Sequence, residues 1–239
     1  MLVLFDIDGT LLEGTTQPVG EAMSAALRAV HGVDTRFMRT QIVTAGRTDG
    51  EIARAILLDA GVSAERIDTL ADSVRESCCQ SCLRLLPEDL SGAVLPGVHE
   101  LLNWLAEQED VKLGLLTGNY EPIARLKLSR AGIGWAFPLG QGAFGSDAED
   151  RTTLPAIARR RAGTGQSRCP HGETIVIGDT PLDIACARAD GVQCVAVATG
   201  SFTRDALAGA DVVARNAAEL RSILAELGIG SSGSGVSHR

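Results

Sequence analysis

"VLFDIDGTLLEGT", residues 3–15 of a 239-residue chain, decides the fold. An apolar run over residues 1–5 predicts a buried strand, yet the run ends in Asp6 and Asp8, followed at once by Gly9. Side chains on a strand alternate between its faces, so the two carboxylates point the same way, and Gly9 lets the chain turn away sharply. Two adjacent carboxylates are tolerable when a cation holds one ionised or when one is protonated. That division suits a nucleophile beside a general acid/base.

Further apolar runs predict a parallel sheet around this first strand. With residues 2–7, the predicted strands are residues 111–117, 174–179, 193–199 and the weaker 211–214. Near-continuous apolar strands that alternate with amphipathic helical patterns are typical of a sheet covered by helices on both faces. The sequence therefore predicts an α/β fold with a doubly wound, mostly parallel sheet and a Rossmann-like core.

The long gap between the first two predicted strands indicates an insertion. A connection of this kind is normally short, but this one is as long as a small domain and has helical patterns over residues 19–31, 49–60 and 64–86. We expect a core domain of residues 1–14 and 92–227, and a helical cap domain of residues 15–91. Residues 228–239 have linker composition and are expected to be disordered.

Polar residues follow two other strands at the same predicted edge of the sheet. Thr117, Gly118 and Asn119 come directly after the second strand, just before a helix N-terminus where phosphate oxygens bind well. Asp179 follows a later strand, and Asp183 comes four residues further on. Because the carboxyl ends of parallel strands share one edge, these groups should meet Asp6 and Asp8 in a ligand crevice.

Composition narrows the class of protein. The formal net charge is -8, which disfavours binding to a nucleic-acid backbone. No apolar run reaches membrane-spanning length, and no basic region precedes the apolar N-terminus as it would in a secretory signal. The six cysteines are typical of reduced thiols. We expect a cytoplasmic protein whose partner is a small phosphorylated metabolite, without nucleic-acid or membrane partners.

Three motifs resemble those of the haloacid dehalogenase-like hydrolase superfamily. "DIDGT" (6–10) is similar to its DxDGT signature, "LLTGN" (115–119) to its second motif, and "VIGDTPLDIACARADG" (176–191) to its fourth. Order and spacing fit over residues 1 to about 225. The helical insertion resembles the type 1 cap of the family, and the chain looks most like the phosphoglycolate phosphatase-like group.

The resemblance implies a Mg²⁺-dependent phosphatase that hydrolyses a small soluble phosphomonoester. Asp6 would attack phosphorus and form an aspartyl-phosphate, while Asp8 would protonate the leaving alkoxide and then deprotonate the hydrolytic water. Mg²⁺ would be held by the Asp6 carboxylate, the Asp8 backbone carbonyl and Asp179, with Asp183 as a further ligand or a group behind the ligands.

The resemblance also assigns the groups that hold the phosphoryl group. Thr117 and its neighbours Gly118 and Asn119 would bind its oxygens. The family also needs a cation to offset charge at the nucleophile, normally a lysine. The corresponding segment here, "EDRTTLPAIARRR" (149–161), offers Arg151 and no lysine, so we favour Lys127, on the helix after "LLTGN".

The cap loop "TAGRTDGEI" (44–52) admits two interpretations. Arg47 either reaches the substrate or is a solvated arginine beside an ordinary capping box of Thr48 and Glu51.

Alternative functions share the same core motifs. A phosphomutase of the same superfamily would return the phosphate to its substrate rather than to water. A catalytically silent module would bind phosphate or metal without turnover. A dehalogenase would use the first aspartate alone, and Asp8 and Asp179 argue against it.

Overall fold

The computed structural model describes residues 1–37, 42–164 and 167–230. In chain order, the strands among these residues are β1 (Leu2–Phe5), β2 (Lys112–Thr117), β3 (Ala143–Phe144), β4 (Thr174–Gly178), β5 (Gln193–Val197) and β6 (Val212–Ala214). They form one sheet in the order β3-β2-β1-β4-β5-β6, and every neighbouring pair is parallel. The predicted α/β fold with a parallel sheet is confirmed.

Strand β1 lies at the centre of the sheet, which explains its apolar sequence. Leu4 is in register with Gly114 of β2 on one side and with Val176 of β4 on the other. All four residues of β1 are buried, because helices cover both faces of the sheet. The chain extends the sheet one way through β2 and β3 and the other way through β4 to β6. The direction in which successive strands are added therefore reverses at β1. In such sheets, ligands bind at the carboxyl ends of the strands beside this point.

Five helices connect or follow the later strands. They are α4 (Val98–Ala106), α5 (Glu121–Arg130), α6 (Leu154–Ala162), α7 (Pro181–Asp190) and α8 (Ala217–Glu226). Helix α7 shows most clearly how local sequence determines where a helix begins and ends. Thr180 caps its N-terminus in a reciprocal capping box with Asp183, Pro181 occupies the first turn, and Gly191 ends the helix with a φ of 65°.

Three further helices lie between β1 and α4. They are α1 (Thr16–His31), α2 (Asp49–Asp59) and α3 (Ala64–Leu85). One apolar cluster runs from β1 and α5 into α1 and α3, where it includes Met23 and Cys78. Arg130 of α5 also donates a 2.6 Å hydrogen bond to the carbonyl oxygen of Leu86, just after α3. The helices agree with the predicted insertion, while the domain boundaries at residues 15 and 91 stay a prediction.

The sequence did not predict strand β3. Its two residues pair with Leu116 and Thr117 at one edge of the sheet, and a two-residue strand is too short to show a period. The predicted disorder of the C-terminal tail concerns mainly residues 231–239, which lie outside the described residues. Within the described ranges, no helix combines the length and apolar character needed to cross a membrane.

Candidate active site

The ends of β1 and β4 bring three carboxylates together. Asp6 follows β1, Asp179 follows β4, and Asp183 lies in the first turn of α7. One carboxylate oxygen from each lies within 4.8 Å of the others, and all three side chains are buried. The predicted convergence of these groups on one sheet edge is what the structure shows.

Asp183 is held by hydrogen bonds on both of its oxygens. Its Oδ2 accepts from the backbone N–H of Thr180 at 3.0 Å and from the Thr180 hydroxyl at 2.7 Å. Its Oδ1 accepts from Arg151 Nη2 at 2.5 Å. These partners place Asp183 behind Asp6 and Asp179, as a group that orients Arg151 rather than one with an uncommitted oxygen.

Arg151 is the cation beside Asp6. Its Nη2 donates to Asp6 Oδ1 at 2.9 Å, and its Nη1 donates to the carbonyl oxygen of Gly46 in the cap loop at 2.7 Å. Burial is the main cause that raises the pKa of Asp6 to about 8, and neighbouring carboxylates add to it while Arg151 opposes it. Arg151 rather than Lys127 contacts Asp6, because the 3₁₀ turn before α6 aims Arg151 at Asp6. The catalytic role of Lys127 stays a prediction.

Lys127 instead binds Asp8. Its Nζ lies 2.7 Å from both carboxylate oxygens of Asp8 and 2.8 Å from Asn119 Oδ1. Asn119 Nδ2 and the Thr15 hydroxyl also donate to Asp8. Burial works to raise the pKa of Asp8, but Lys127, Thr15 and Asn119 outweigh it, so the pKa of Asp8 is lowered. The site therefore holds two separate pairs of a cation and a carboxylate.

A signal for the burial of Lys127 was present in the sequence. On α5, the buried residues are Ile123, Ala124, Lys127 and Leu128, which share one helical face. A lysine in register with an apolar stripe is expected to be buried, and a buried charge requires a partner. Thr15 carried no comparable signal, since a threonine before a helix is ordinarily a cap.

The segment after β2 contacts the cap loop. Thr117 is fully buried, and its hydroxyl accepts from Asn119 Nδ2 at 3.0 Å. The carbonyl oxygen of Gly118 accepts from the backbone N–H of Asp49 at 2.8 Å. A Cβ atom at Gly118 would lie 2.1 Å from the carbonyl oxygen of Arg47, so only glycine permits this approach. The predicted substrate-binding segment is thus also where core and insertion meet.

Asp49 is a buried acid of the site that the sequence analysis did not identify. Its Oδ2 accepts from the backbone N–H of Tyr120 at 2.8 Å. Burial raises the pKa of Asp49 to about 6, although the Tyr120 hydrogen bond and Lys127 oppose the rise. The residue lies in the first turn of α2, where an acidic side chain is common and gives no hint of burial.

The capping interpretation of the cap loop fits in part. The Thr48 hydroxyl accepts from the backbone N–H of Glu51 at 3.1 Å and donates to the carbonyl oxygen of Glu149 at 2.8 Å. Glu51 pairs with Arg47 across 3.3 Å between Oε1 and Nη1. Arg47 lies on the wall of the cavity described below, with about a third of its side chain exposed.

The carboxylate cluster has the chemistry of a divalent-cation site. Burial raises the pKa of Asp179 to about 7, with Asp183 adding to the rise. Two buried carboxylates with raised pKa values, Asp6 and Asp179, require a proton or a cation between them, and oxygen donors suit a hard cation. Cβ atoms at Gly9 and Gly200 would come within 2.3 and 1.7 Å of Asp179 Oδ2, so small residues leave room for that carboxylate.

A cavity of about 420 Å³ opens over these groups. Its base consists of the charged residues at the sheet edge, namely Asp6, Asp8, Lys127, Arg151 and Asp179. The opposite wall belongs to α1, the cap loop and the start of α2. A volume of this size lies within the range of about 300–1,000 Å³ that is typical of small-molecule sites.

Comparison with known proteins agrees with this geometry. The family model described as haloacid dehalogenase-like hydrolase matches residues 1–191. A protein of Rhodospirillum rubrum named phosphoglycolate phosphatase is 28% identical over 226 residues, which cover 89% of this chain and 85% of that protein.

Two solved structures share the fold. A hydrolase from Pseudomonas syringae has a TM-score of 0.64 at 23% identity and covers 95% of this chain and 98% of its own. A β-phosphoglucomutase from Clostridium difficile has a TM-score of 0.67 at 19% identity, covering 95% and 96%. The resemblance seen in the three sequence motifs is confirmed, and the chain belongs to the haloacid dehalogenase-like hydrolase family.

Proposed function

We propose that this protein is a Mg²⁺-dependent phosphatase that hydrolyses a small phosphomonoester through an aspartyl-phosphate. The observation that carries the proposal is the pairing of each DxD carboxylate with its own cation. Arg151 contacts Asp6 and Lys127 contacts Asp8, at the base of one cavity. Two neighbouring carboxylates in such different environments suit two different roles.

Asp6 is the nucleophile in this proposal. Its carboxylate attacks phosphorus, the bond from phosphorus to the ester oxygen breaks, and the phosphoryl group stays on Asp6. Arg151 keeps Asp6 oriented through the 2.9 Å contact and favours its ionised form. Mg²⁺, held by Asp6, the Asp8 carbonyl oxygen and Asp179, would neutralise negative charge on the phosphoryl oxygens.

Asp8 is the general acid/base. The phosphate of the substrate brings negative charge close to Asp8, which favours its protonated form and prepares it to give a proton to the leaving alkoxide. After the alcohol departs, Asp8 takes a proton from the water that attacks the phosphoryl-enzyme. Lys127 stabilises the anion that results from the first proton transfer.

The segment after β2 holds the phosphoryl group. Thr117, Gly118 and Asn119 all line the cavity, and Asn119 also donates to Asp8. Arg47 lies on the opposite wall, where it would contact the substrate if its pairing with Glu51 opened. We place the partner, a small phosphorylated metabolite, in the cytoplasm, which the six free thiols support.

The test is phosphate release from a panel of phosphomonoesters, with Mg²⁺ and with EDTA. Asp6→Asn is the active-site variant, and Asp205→Asn is a matched control, because Asp205 is an exposed aspartate far along the chain. We expect release by the parent protein and the control, and loss with EDTA or in Asp6→Asn.

The same experiment separates the alternatives. Release that survives in Asp6→Asn would contradict the nucleophile assignment. Transfer of the phosphoryl group to a second hydroxyl of a sugar phosphate, without free phosphate, would identify a phosphomutase. Phosphate or Mg²⁺ binding with no turnover of any ester would identify a silent binding module.

A further inference from the structure

We infer, on the basis of the proposed function, that the preferred substrates are phosphomonoesters of uncharged alcohols with an apolar side. We further infer that Gly20 sets how large that alcohol can be. The inference rests on the wall of the cavity opposite the carboxylates, which differs in chemistry from the base.

One face of α1 supplies much of this wall. Thr16, Val19, Gly20 and Met23 all line the cavity, and their spacing of three, four and seven residues places them on one side of the helix. Ile52 of α2 lines the same cavity. The alcohol part of the substrate would lie against this wall and contact apolar surface. Such a surface favours an apolar alcohol over one with hydrated polar groups.

The charges on the cavity disfavour a carboxylate on the alcohol. Among the described residues of the inserted segment, the cationic side chain on the cavity is Arg47, and Glu51 already pairs with it. Asp49 and Glu13 add acidic groups to the lining. Among the described residues, a second anion on the substrate would face these acids and would have to compete with Glu51 for Arg47.

The cations at the base of the cavity do not provide a binding group for a second anion either. Arg151 is committed to Asp6 and Asp183, and Lys127 is committed to Asp8 and Asn119. Both also serve the phosphoryl end of the substrate in the proposed mechanism. The described part of the site therefore differs from one built to bind a second anionic group at the far end of a short substrate such as phosphoglycolate.

Gly20 leaves open space on the apolar face. Gly20 is exposed, and among the described residues a Cβ atom built there meets no atom within 4 Å; the backbone is ordinary helix. Glycine inside a helix costs roughly 0.5–1 kcal/mol relative to alanine. Gly9 and Gly200 are required by close contacts, whereas no contact requires Gly20. Its effect is to widen the cavity between Val19 and Met23.

The substrate class can be tested with a homologous series. We would measure kcat/KM with Mg²⁺ for methyl, butyl and hexyl phosphate and for 2-phosphoglycolate, with Asp6→Asn beside the parent protein. We expect kcat/KM to rise roughly fourfold for each methylene that reaches the apolar wall. We expect 2-phosphoglycolate to lie at least about tenfold below butyl phosphate.

The outcomes of this series are distinct. A preference for 2-phosphoglycolate, or a flat alkyl series, would overturn the inference while Asp6-dependent turnover left the proposed function intact. No phosphate from any ester, with Asp6→Asn identical to the parent protein, would remove the proposed function itself.

Gly20→Leu tests the role of the glycine. We expect the ratio of kcat/KM for hexyl to methyl phosphate to fall at least about tenfold, because the new side chain occupies the apolar space. Gly172→Leu is the matched control, since Gly172 is exposed, off the cavity, and free of contacts within 4 Å of a built Cβ atom.

A second variant keeps the test decisive if Gly20→Leu does not fold. Gly20→Ala adds one carbon and should raise helix stability while lowering the same ratio roughly two- to fourfold. A ratio that stays at the parent value in a folded Gly20 variant would overturn the assignment of Gly20.

Discussion

The two sides of the cavity differ in how their residues are held. At the sheet edge, Asp6, Asp8 and Asp183 each contact a buried cation, and the segments that carry them follow the parallel strands β1 and β4. On the helical side, α1 presents apolar residues and a glycine with open space around it. In the proposed mechanism, the sheet edge supports the chemistry, which requires fixed geometry, and the inserted helices select the alcohol.

The largest effect should come from breaking the sheet-edge side at Arg151. Arg151→Ala leaves Asp6 and Asp183 buried beside each other without their shared cation. We expect kcat to fall by about 10²–10³-fold and the free energy of unfolding to fall by about 3–5 kcal/mol. Phosphate release and urea unfolding measure the two effects.

Two further variants sharpen the Arg151 result. Arg151→Lys keeps the charge but cannot reach both Asp6 and the Gly46 carbonyl oxygen, so it should recover only part of the loss. Arg215→Ala removes a surface arginine paired with Glu219 and should change neither measurement appreciably. An Arg151→Ala protein indistinguishable from Arg215→Ala would show that the sheet edge does not depend on its buried cation.

The second cation, Lys127, should affect stability mainly through its pair with Asp8. Lys127→Met leaves the partly buried Asp8 carboxylate without its cation, and we expect a loss of about 3 kcal/mol in the free energy of unfolding at pH 7. The double variant Lys127→Met/Asp8→Asn removes both charges, so its loss should be smaller than the sum of the single losses by at least about 1 kcal/mol. Additive losses would contradict a direct pair.

The pH dependence of this effect has a definite sign. The pKa of Asp8 lies below its ordinary value of 3.8, so its ionised form stabilises the folded state above that value. The contribution is lost as the pH falls through the lowered pKa. Protonated Asp8 needs no cation, and the deficit of Lys127→Met should therefore shrink as the pH is lowered.

The sequence predicted the sheet-edge side better than the helical side. Asp6, Asp8 and Asp179 follow long apolar strands, and the period of a strand determines which way their side chains point. Arg151 begins a short 3₁₀ turn, whose direction no sequence period describes, and so its contact with Asp6 could not be inferred. The burial of Lys127 could have been predicted, because this residue lies on the apolar face of α5.

The helical side depends on how elements pack rather than on local pattern. Helical spacing predicts that Val19 and Met23 share a face, but not whether that face meets the core or a cavity. Asp49 resembles an ordinary acid in the first turn of a helix until Tyr120 is seen against it. Burial created by contacts between distant segments was the information that the sequence lacked.

Asp49 lies where the two sides meet, and Asp49→Asn should change the free energy of unfolding moderately and in a pH-dependent way. Burial raises the pKa of Asp49 from 3.8 to about 6, so the folded state favours the protonated form. Its contribution to stability is full below about pH 4 and is lost as the pH rises through about 6. The variant should therefore be more stable than the parent protein at pH 7.5, by about 1–3 kcal/mol, but not at pH 4. Urea unfolding at several pH values measures this, with Asp205→Asn as an exposed control; a difference that does not vary with pH would refute it.

The smallest effect should come from the ion pairs that join the two sides at the surface. Arg54 of α2 reaches Glu149 Oε2 at 2.5 Å and Asp68 Oδ1 at 2.5 Å, so it links the insertion to the core beside Arg151. Partly exposed pairs contribute little, and Arg54→Ala should lower the free energy of unfolding by no more than about 1 kcal/mol. Arg75→Ala, whose pair with Asp72 lies within α3, is the matched control and should have a smaller effect in urea unfolding. A loss above about 2 kcal/mol for Arg54→Ala would mean that surface charge, rather than the shared apolar cluster and the Gly118 contact, holds the helical side against the sheet edge.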